Sequence, residues 1–233
     1  MTQPAPLTPR SHQVRIWDLP TRLFHWLLAC AIVALVVTAK LGGNAMNWHL
    51  VLGQVVLALI IFRLLWGVVG GRWSRFAHFV HTPSALLRHL RGQGSVEEGA
   101  GHSPLGALSV FAMLLALVAQ VATGLLSDDE IAFSGPLTRF ASGDTVAAAT
   151  NYHAHWGQYL IYALVGLHLL AILGYSLRRK GLARAMVTGD KQLPSPVPAA
   201  RDTAATRALA AALAVLSSGI AWWVNSLGAG GGF

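Results

Sequence analysis

The sequence predicts an all-α integral membrane protein, a four-helix transmembrane bundle with a fifth, C-terminal transmembrane helix. Three observations predict it. Charged residues make up 11% of the 233 and hydrophobic residues 54%, with a mean hydropathy of +0.53. A soluble surface draws on roughly 25% charged residues, so a water-soluble enzyme is excluded, and the same balance excludes intrinsic disorder. Five long stretches are almost free of charge, and the basic residues gather on one side of them.

The first span, residues 23–39, holds 17 uncharged residues between Arg22 and Lys40, near the lower length limit for crossing a bilayer. The second covers about 47–70 and is interrupted only by Arg63. The third covers 104–126, and the fourth 151–177, with a helix expected from about Asn151. Beyond Arg207 the chain is apolar again to about Leu227. Each run is long enough to close its backbone hydrogen bonds internally, as hydrocarbon requires. The first is not a signal peptide, because no small-residue cleavage site follows it and Trp17-Asp18-Leu19-Pro20 reads as a structured lead-in. In Arg72–His102, Phe76, Phe79, Val80, Leu86, Leu87 and Leu90 are interleaved with Arg75, Arg88 and Arg91, the pattern of an amphipathic segment on the membrane surface. The expected organisation is a four-helix domain over 1–190, a cytoplasmic linker over 191–206, and a fifth helix with a glycine-rich tail over 207–233.

Orientation follows from Lys and Arg. Fourteen of them, from Arg10 to Arg207, fall on the side of the N-terminus, and only Lys40 and Arg139 on the other. The positive-inside rule then places the N-terminus in the cytoplasm and, after five spans, the C-terminus in the periplasm. The net charge of +8 is therefore topology and not a nucleic-acid surface.

Of the 10 histidines, His12, His78, His81, His89 and His102 lie outside the spans and read as solvated or interfacial side chains. The other five lie at or within spans, where ionisable groups are costly and usually functional. His25 belongs to the N-terminal side of the membrane, and His49, His153 and His155 to the far side. His168 follows His153 and His155 by 13 to 15 residues, roughly 20–23 Å along a helix, which returns it to the level of His25. Two depth-matched imidazole pairs suit axial ligation of a flat, apolar macrocycle such as haem. Cys30 is the only cysteine and no C-x-x-C-H run exists, so a haem would be held noncovalently. A haem-free, His-lined metal or proton conductor is the rival reading. Transport normally uses carboxylates at the midplane, and none of the spans contains Asp or Glu.

The run Val14-Arg15-Ile16-Trp17-Asp18-Leu19-Pro20-Thr21-Arg22-Leu23-Phe24-His25-Trp26 makes a family resemblance visible. So do His49, Phe62-Arg63-Leu64-Leu65-Trp66-Gly67, Gly101-His102-Ser103-Pro104-Leu105-Gly106-Ala107, Thr123-Gly124-Leu125, Leu167-His168 and Met186-Val187-Thr188-Gly189. Over about residues 14–190 the chain resembles the bacterial cytochrome b561 / nickel–iron hydrogenase cytochrome b-subunit superfamily. The resemblance implies two noncovalent haem b groups and electron transfer in the bacterial inner membrane between a quinone pool and a redox partner, such as a c-type cytochrome. It also implies an alternative, a haem-bearing anchor subunit of a soluble redox enzyme such as a hydrogenase. Quinone binding and homo-oligomerisation stay open, and the fifth helix lies outside the pattern.

Carried over by motif, His25, His49 and His168 match three of the family's iron ligands. The fourth usually stands 14 residues before its partner, which here is Ala154, between His153 and His155. On a regular α-helix a separation of 14 leaves a phase offset of about −40°, 15 about +60° and 13 about −140°. His153 is therefore preferred, with His155 as the alternative. Arg63 and Arg22 carry two readings each: neutralising a haem propionate, or snorkelling to the interface. Trp17, Trp26, Trp48, Trp66, Trp73 and Trp156 read mostly as interfacial belt residues. Gly53 suits room for the macrocycle, and Gly166 close helix packing.

Overall fold

The computed structural model describes residues 11–178 and 181–228. Arg10, Arg179 and Lys180 of the basic count, and the tail beyond Gly228, lie outside the described residues. The chain opens with strand β1 (His12–Arg15) and helix α1 (Leu19–Leu41). Asp18 starts α1 by accepting the Thr21 amide at 2.9 Å, and Gly42, at φ +63°, ends it. Such a φ is cheap only without a Cβ. A tight connection turns the chain into α2 (Ala45–Val69), antiparallel to α1.

Two short helices follow, α3 (Pro83–Leu90), capped by Thr82, and α4 (Val96–Ala100), opened by a reciprocal Ser95–Glu98 capping box. Ser103 caps α5 (Pro104–Leu125), whose proline sits in the first turn, where no amide partner is needed. The fourth span is built from α6 (Gly143–Asn151), a π-helical turn over Tyr152–Gly157, and α7 (Gln158–Leu177). Then come α8 (Leu182–Thr188), strand β2 (Asp190–Leu193) and α9 (Ala204–Ser226). Among the described residues, five helical rods of 22 to 35 residues are long and apolar enough to cross a membrane.

Close backbone packing joins α1 to α2, α2 to α5 and α5 to α7, while α9 lies along α2 and touches α1. Ala31, Val56, Ile60, Ala116, Leu117 and Ile161 form the centre of the four-helix bundle. Two of these are alanines, which let backbones approach where lipid gives no hydrophobic drive. Phe62, Trp66 and Ala210 seat α9.

One end of the bundle carries a compact cap. There β1 and β2 pair antiparallel, His12 opposite Leu193 and Arg15 opposite Asp190, over a core including Ile16, Trp17, Trp73, Ala185 and Leu193. This will be called the ribbon end. Beneath it Asp18 accepts from Ser74 at 2.8 Å, the Thr21 and Ser74 hydroxyls meet at 2.7 Å, and Trp66 Nε1 donates to Thr21 at 3.2 Å. That buried network locks the start of α1 to the end of α2 and so fixes the height of His25.

Three expectations change. The stretch expected as a linker from residue 191 is paired and packed: β2 joins the ribbon, and Pro198 accepts the Trp73 indole N–H at 2.9 Å. Its partner strand lies at the other end of the sequence, beyond the reach of local pattern. The helix of the fourth span begins at Gly143 and not at about Asn151, because Ser142 caps it there through the Thr145 amide. Trp17, Trp66 and Trp73 are buried in cores and not in an interfacial belt, whereas Trp26, Trp48 and Trp156 are exposed.

Candidate functional site

The histidines expected in pairs stand in pairs. His25 on α1 and His168 on α7 face each other at the ribbon end, ring centroids 6.4 Å apart and planes inclined at 50°. His49 on α2 and His153 in the π-helical turn face each other at the far end, 6.2 Å apart and inclined at 89°. His155 is exposed and takes no part.

The regular helix assumed in the phase argument does not form. A π-helical turn absorbs about one extra residue, so the 15 steps from His153 to His168 behave as 14 and the offset returns to about −40°. Helix α5 provides the seat. His153 Nδ1 lies 2.8 Å from the Gln120 carbonyl, and the Gln120 side-chain amide donates back to the His153 carbonyl at 3.0 Å. A Cβ at Gly124 would stand 2.8 Å from His153 Cε1, so the imidazole fits only because that position is glycine. His49 Nδ1 lies 3.0 Å from the Leu35 carbonyl. A carbonyl only accepts, so in both rings Nδ1 carries the proton and Nε2 presents its lone pair.

Arg63 is buried at 4% exposure, which excludes the snorkelling reading. Its guanidinium lies over Phe76, 4.6 Å from the ring centroid, with Nη1 enclosed and unpartnered. Arg22 donates through Nη1 to the Thr188 carbonyl at 2.6 Å, while its Nε is enclosed without a partner. Gly53 leaves open space, with nothing within 4 Å of a Cβ added there. Gly166 also has no neighbour within 4 Å, so the close helix packing expected of it does not occur.

One residue was misjudged from sequence. His102, expected as a solvated or interfacial side chain, is enclosed between Phe79 and Trp17, at centroid distances of 4.3 and 4.7 Å. Its Nδ1 is buried without a partner. Burial first, then the positive charges of Arg63 and Lys191, pushes its pKa down to about 3, so the ring is neutral near pH 7. The available signal was its place directly before the Ser103-Pro104 helix start, at the membrane's edge.

Two imidazoles on opposite sides of one metal ion, with metal–nitrogen bonds of about 2.0 Å and about 1.1–1.2 Å from nitrogen to ring centroid, have centroids roughly 6.3 Å apart. Both observed separations match that span. Among the described residues no three His, Cys, Asp or Glu converge on a metal position. A bare ion is poorly served by two ligands, whereas an iron already held by a porphyrin needs only its two axial positions filled. The residues present therefore fit haem.

A multi-pass helical bundle with two such imidazole pairs defines a haem-binding membrane cytochrome of the b type, an electron-transport protein. The chain belongs to the prokaryotic cytochrome b561 family, whose profile matches residues 16–189. It is similar to a probable Ni/Fe-hydrogenase B-type cytochrome subunit of Bradyrhizobium diazoefficiens, at 24% identity over 213 residues, covering 77% of this chain and 86% of that one. A protein of the same description from Rhizobium leguminosarum bv. viciae is 23% identical over 218 residues, covering 76% and 88%. No solved structure matches the chain. Helix α9 lies beyond the segment matched by the family.

Proposed function

We propose that this chain is a dihaem cytochrome b that carries electrons across the bacterial inner membrane between a quinone pool and a redox partner protein. His25 and His168 hold the haem at the ribbon end, and His49 and His153 the haem at the far end. The two ring-centroid separations carry the reading. The distribution of Lys and Arg supports a cytoplasmic ribbon end and N-terminus, with a periplasmic C-terminus.

Haem b supplies a one-electron couple at each level. The protein fixes the imidazole planes, excludes water and sets the potentials through burial and hydrogen bonds. The Leu35 and Gln120 carbonyls hold the far-end rings by their Nδ1–H groups and raise their basicity toward iron. At the ribbon end His25 Nδ1 is buried without such an acceptor. The two sites thus differ in a feature that tunes potential. A second reading, in which the partner is a hydrogenase anchored by this subunit, is favoured by the descriptions of the two relatives.

The test is haem quantification by pyridine haemochrome with reduced-minus-oxidised spectra of the purified protein. Wild type is expected to carry two haems per chain. His25→Ala and His168→Ala should each lose the same spectral component, and His49→Ala and His153→Ala the other. Loss of different components from the His25 and His168 variants would refute the pairing.

A further inference from the structure

The ribbon end gathers buried polar nitrogens without partners. Arg63 Nη1, Arg22 Nε and His102 Nδ1 are all enclosed and unpartnered. A guanidinium can only donate, and a buried one without an acceptor is a severe penalty unless a group absent from the chain supplies it. The Asp18 carboxylate accepts from the Thr21 amide and the Ser74 hydroxyl and makes no hydrogen bond to Arg63. Arg63 and His102 sit against the same ring, the guanidinium carbon 5.9 Å and the imidazole centroid 4.3 Å from the centre of Phe79. His102 packs against Trp17, directly before α1, the helix that carries His25, which keeps the pair at the ribbon end.

We propose that His102 Nδ1–H and Arg63 Nη1 together bind one propionate carboxylate of the haem at the ribbon end. The inference rests on the reading that His25 and His168 hold a haem there. It adds a neutral, positioned donor to a site whose other groups are cations. Two cationic donors alone would bind any anion of the right size. A neutral imidazole clamped between Phe79 and Trp17 instead fixes where the carboxylate oxygen must lie, as a planar charge-assisted hydrogen bond requires. The same ring lines a cavity of about 240 Å³ together with Arg72, His81 and Glu98, and its Nδ1 is buried without a partner. The imidazole is a positioning residue. By neutralising part of a carboxylate's charge near iron, it makes addition of an electron easier.

The experiment is a spectroelectrochemical titration of the detergent-purified holoprotein with a haem count. His102→Phe keeps the aromatic packing and removes the donor, while His102→Gln keeps an N–H donor. His102→Phe should retain the far-end haem with an unchanged midpoint. Its ribbon-end midpoint should fall by the equivalent of about tenfold in the reduced-to-oxidised ratio, about 59 mV for one electron. His102→Gln should recover at least half of that shift. Loss of only the ribbon-end haem in His102→Phe, with retention in His102→Gln, would support the same contact more strongly. An unchanged ribbon-end midpoint in His102→Phe, or equal shifts of both haems, overturns the proposal while leaving the haem assignment standing. So does equal loss of haem from both variants. A third arm separates the propionate from another bound anion. After reconstitution with haem dimethyl ester, His102→Phe and wild type should titrate alike, and a persisting difference would overturn the propionate as the ligand. A wild-type protein without haem would overturn the parent reading with it.

Discussion

Gly124→Ala is the sharpest single perturbation of the far-end site. The added Cβ would stand 2.8 Å from His153 Cε1 and 3.0 Å from its Nδ1. Ordinary carbon contacts lie at about 3.5–4.0 Å, so the ring must retreat by roughly 0.7–1.2 Å. It has little freedom, because Nδ1 is tied to the Gln120 carbonyl at 2.8 Å. Overpacking of this kind costs about 1–3 kcal/mol, and loss of the hydrogen bond about 1 kcal/mol more. Alanine is worth about 1 kcal/mol over glycine inside a helix, which offsets part of the cost. The balance is about 1–3 kcal/mol against the ligating geometry, or roughly 5- to 150-fold weaker retention at 1.4 kcal/mol per tenfold. The assay is transfer of haem to an excess of a soluble apo-haem protein, followed by the two spectral components. The far-end component should leave faster by that factor and the ribbon-end component at the wild-type rate. Wild-type retention of both, or faster loss of the ribbon-end haem, would show that Gly124 does not seat an iron ligand.

His155→Gln should keep both haems and both midpoints, since the ring is exposed; loss of a haem in the count would reverse the choice between the two neighbouring histidines. An alkaline phosphatase fused after Ser226 should be active, and activity confined to a cytoplasmic reporter at the same point would refute the orientation. Arg15 donates to Asp190 and holds its carboxyl below the usual carboxylate range, and Arg207 followed by Arg15 does the same for Asp202. A lowered folded pKa gives stability that is present above the unfolded value of about 3.9 and lost as pH falls through the folded one. The drop in unfolding temperature from pH 6 to pH 3 should therefore be smaller in Asp190→Asn than in wild type; an identical drop would remove the ribbon from the acid response.

The spans were legible because lipid imposes one rule on every residue in them, and hydropathy reads that rule locally. The pairing of His25 with His168 was legible from depth alone, since helices of known rise run straight between two levels. The choice of His153 came out of an argument whose premise fails: a regular helix was assumed, and a π-helical turn does the alignment. A π turn leaves no compositional mark, and Tyr152–Gly157 packs against α5, a distant part of the chain. There a Cβ at Gly157 would collide with the Gln120 side chain. His102 was illegible for a different reason. Its enclosure is made by Trp17 and Phe79, from two distant parts of the chain, and no local pattern states that they meet there.

The ribbon has a consequence in time. Arg15 and Asp190 pair across 175 residues, so β1 leaves the ribosome long before β2 exists. At about 5–20 residues per second, the N-terminal strand waits roughly 9–35 s for its partner, during which the first four spans are threaded. Its edge is open for that whole interval. Closing the ribbon is then a late event at this end of the molecule, and it ties the entrance of α1 to the exit of α7 through α8, the two helices that carry His25 and His168. The chain thereby acquires an order of assembly: both histidine pairs can meet once α7 has been inserted, while the strand pairing that braces the ribbon end follows only after the sequence returns to β1.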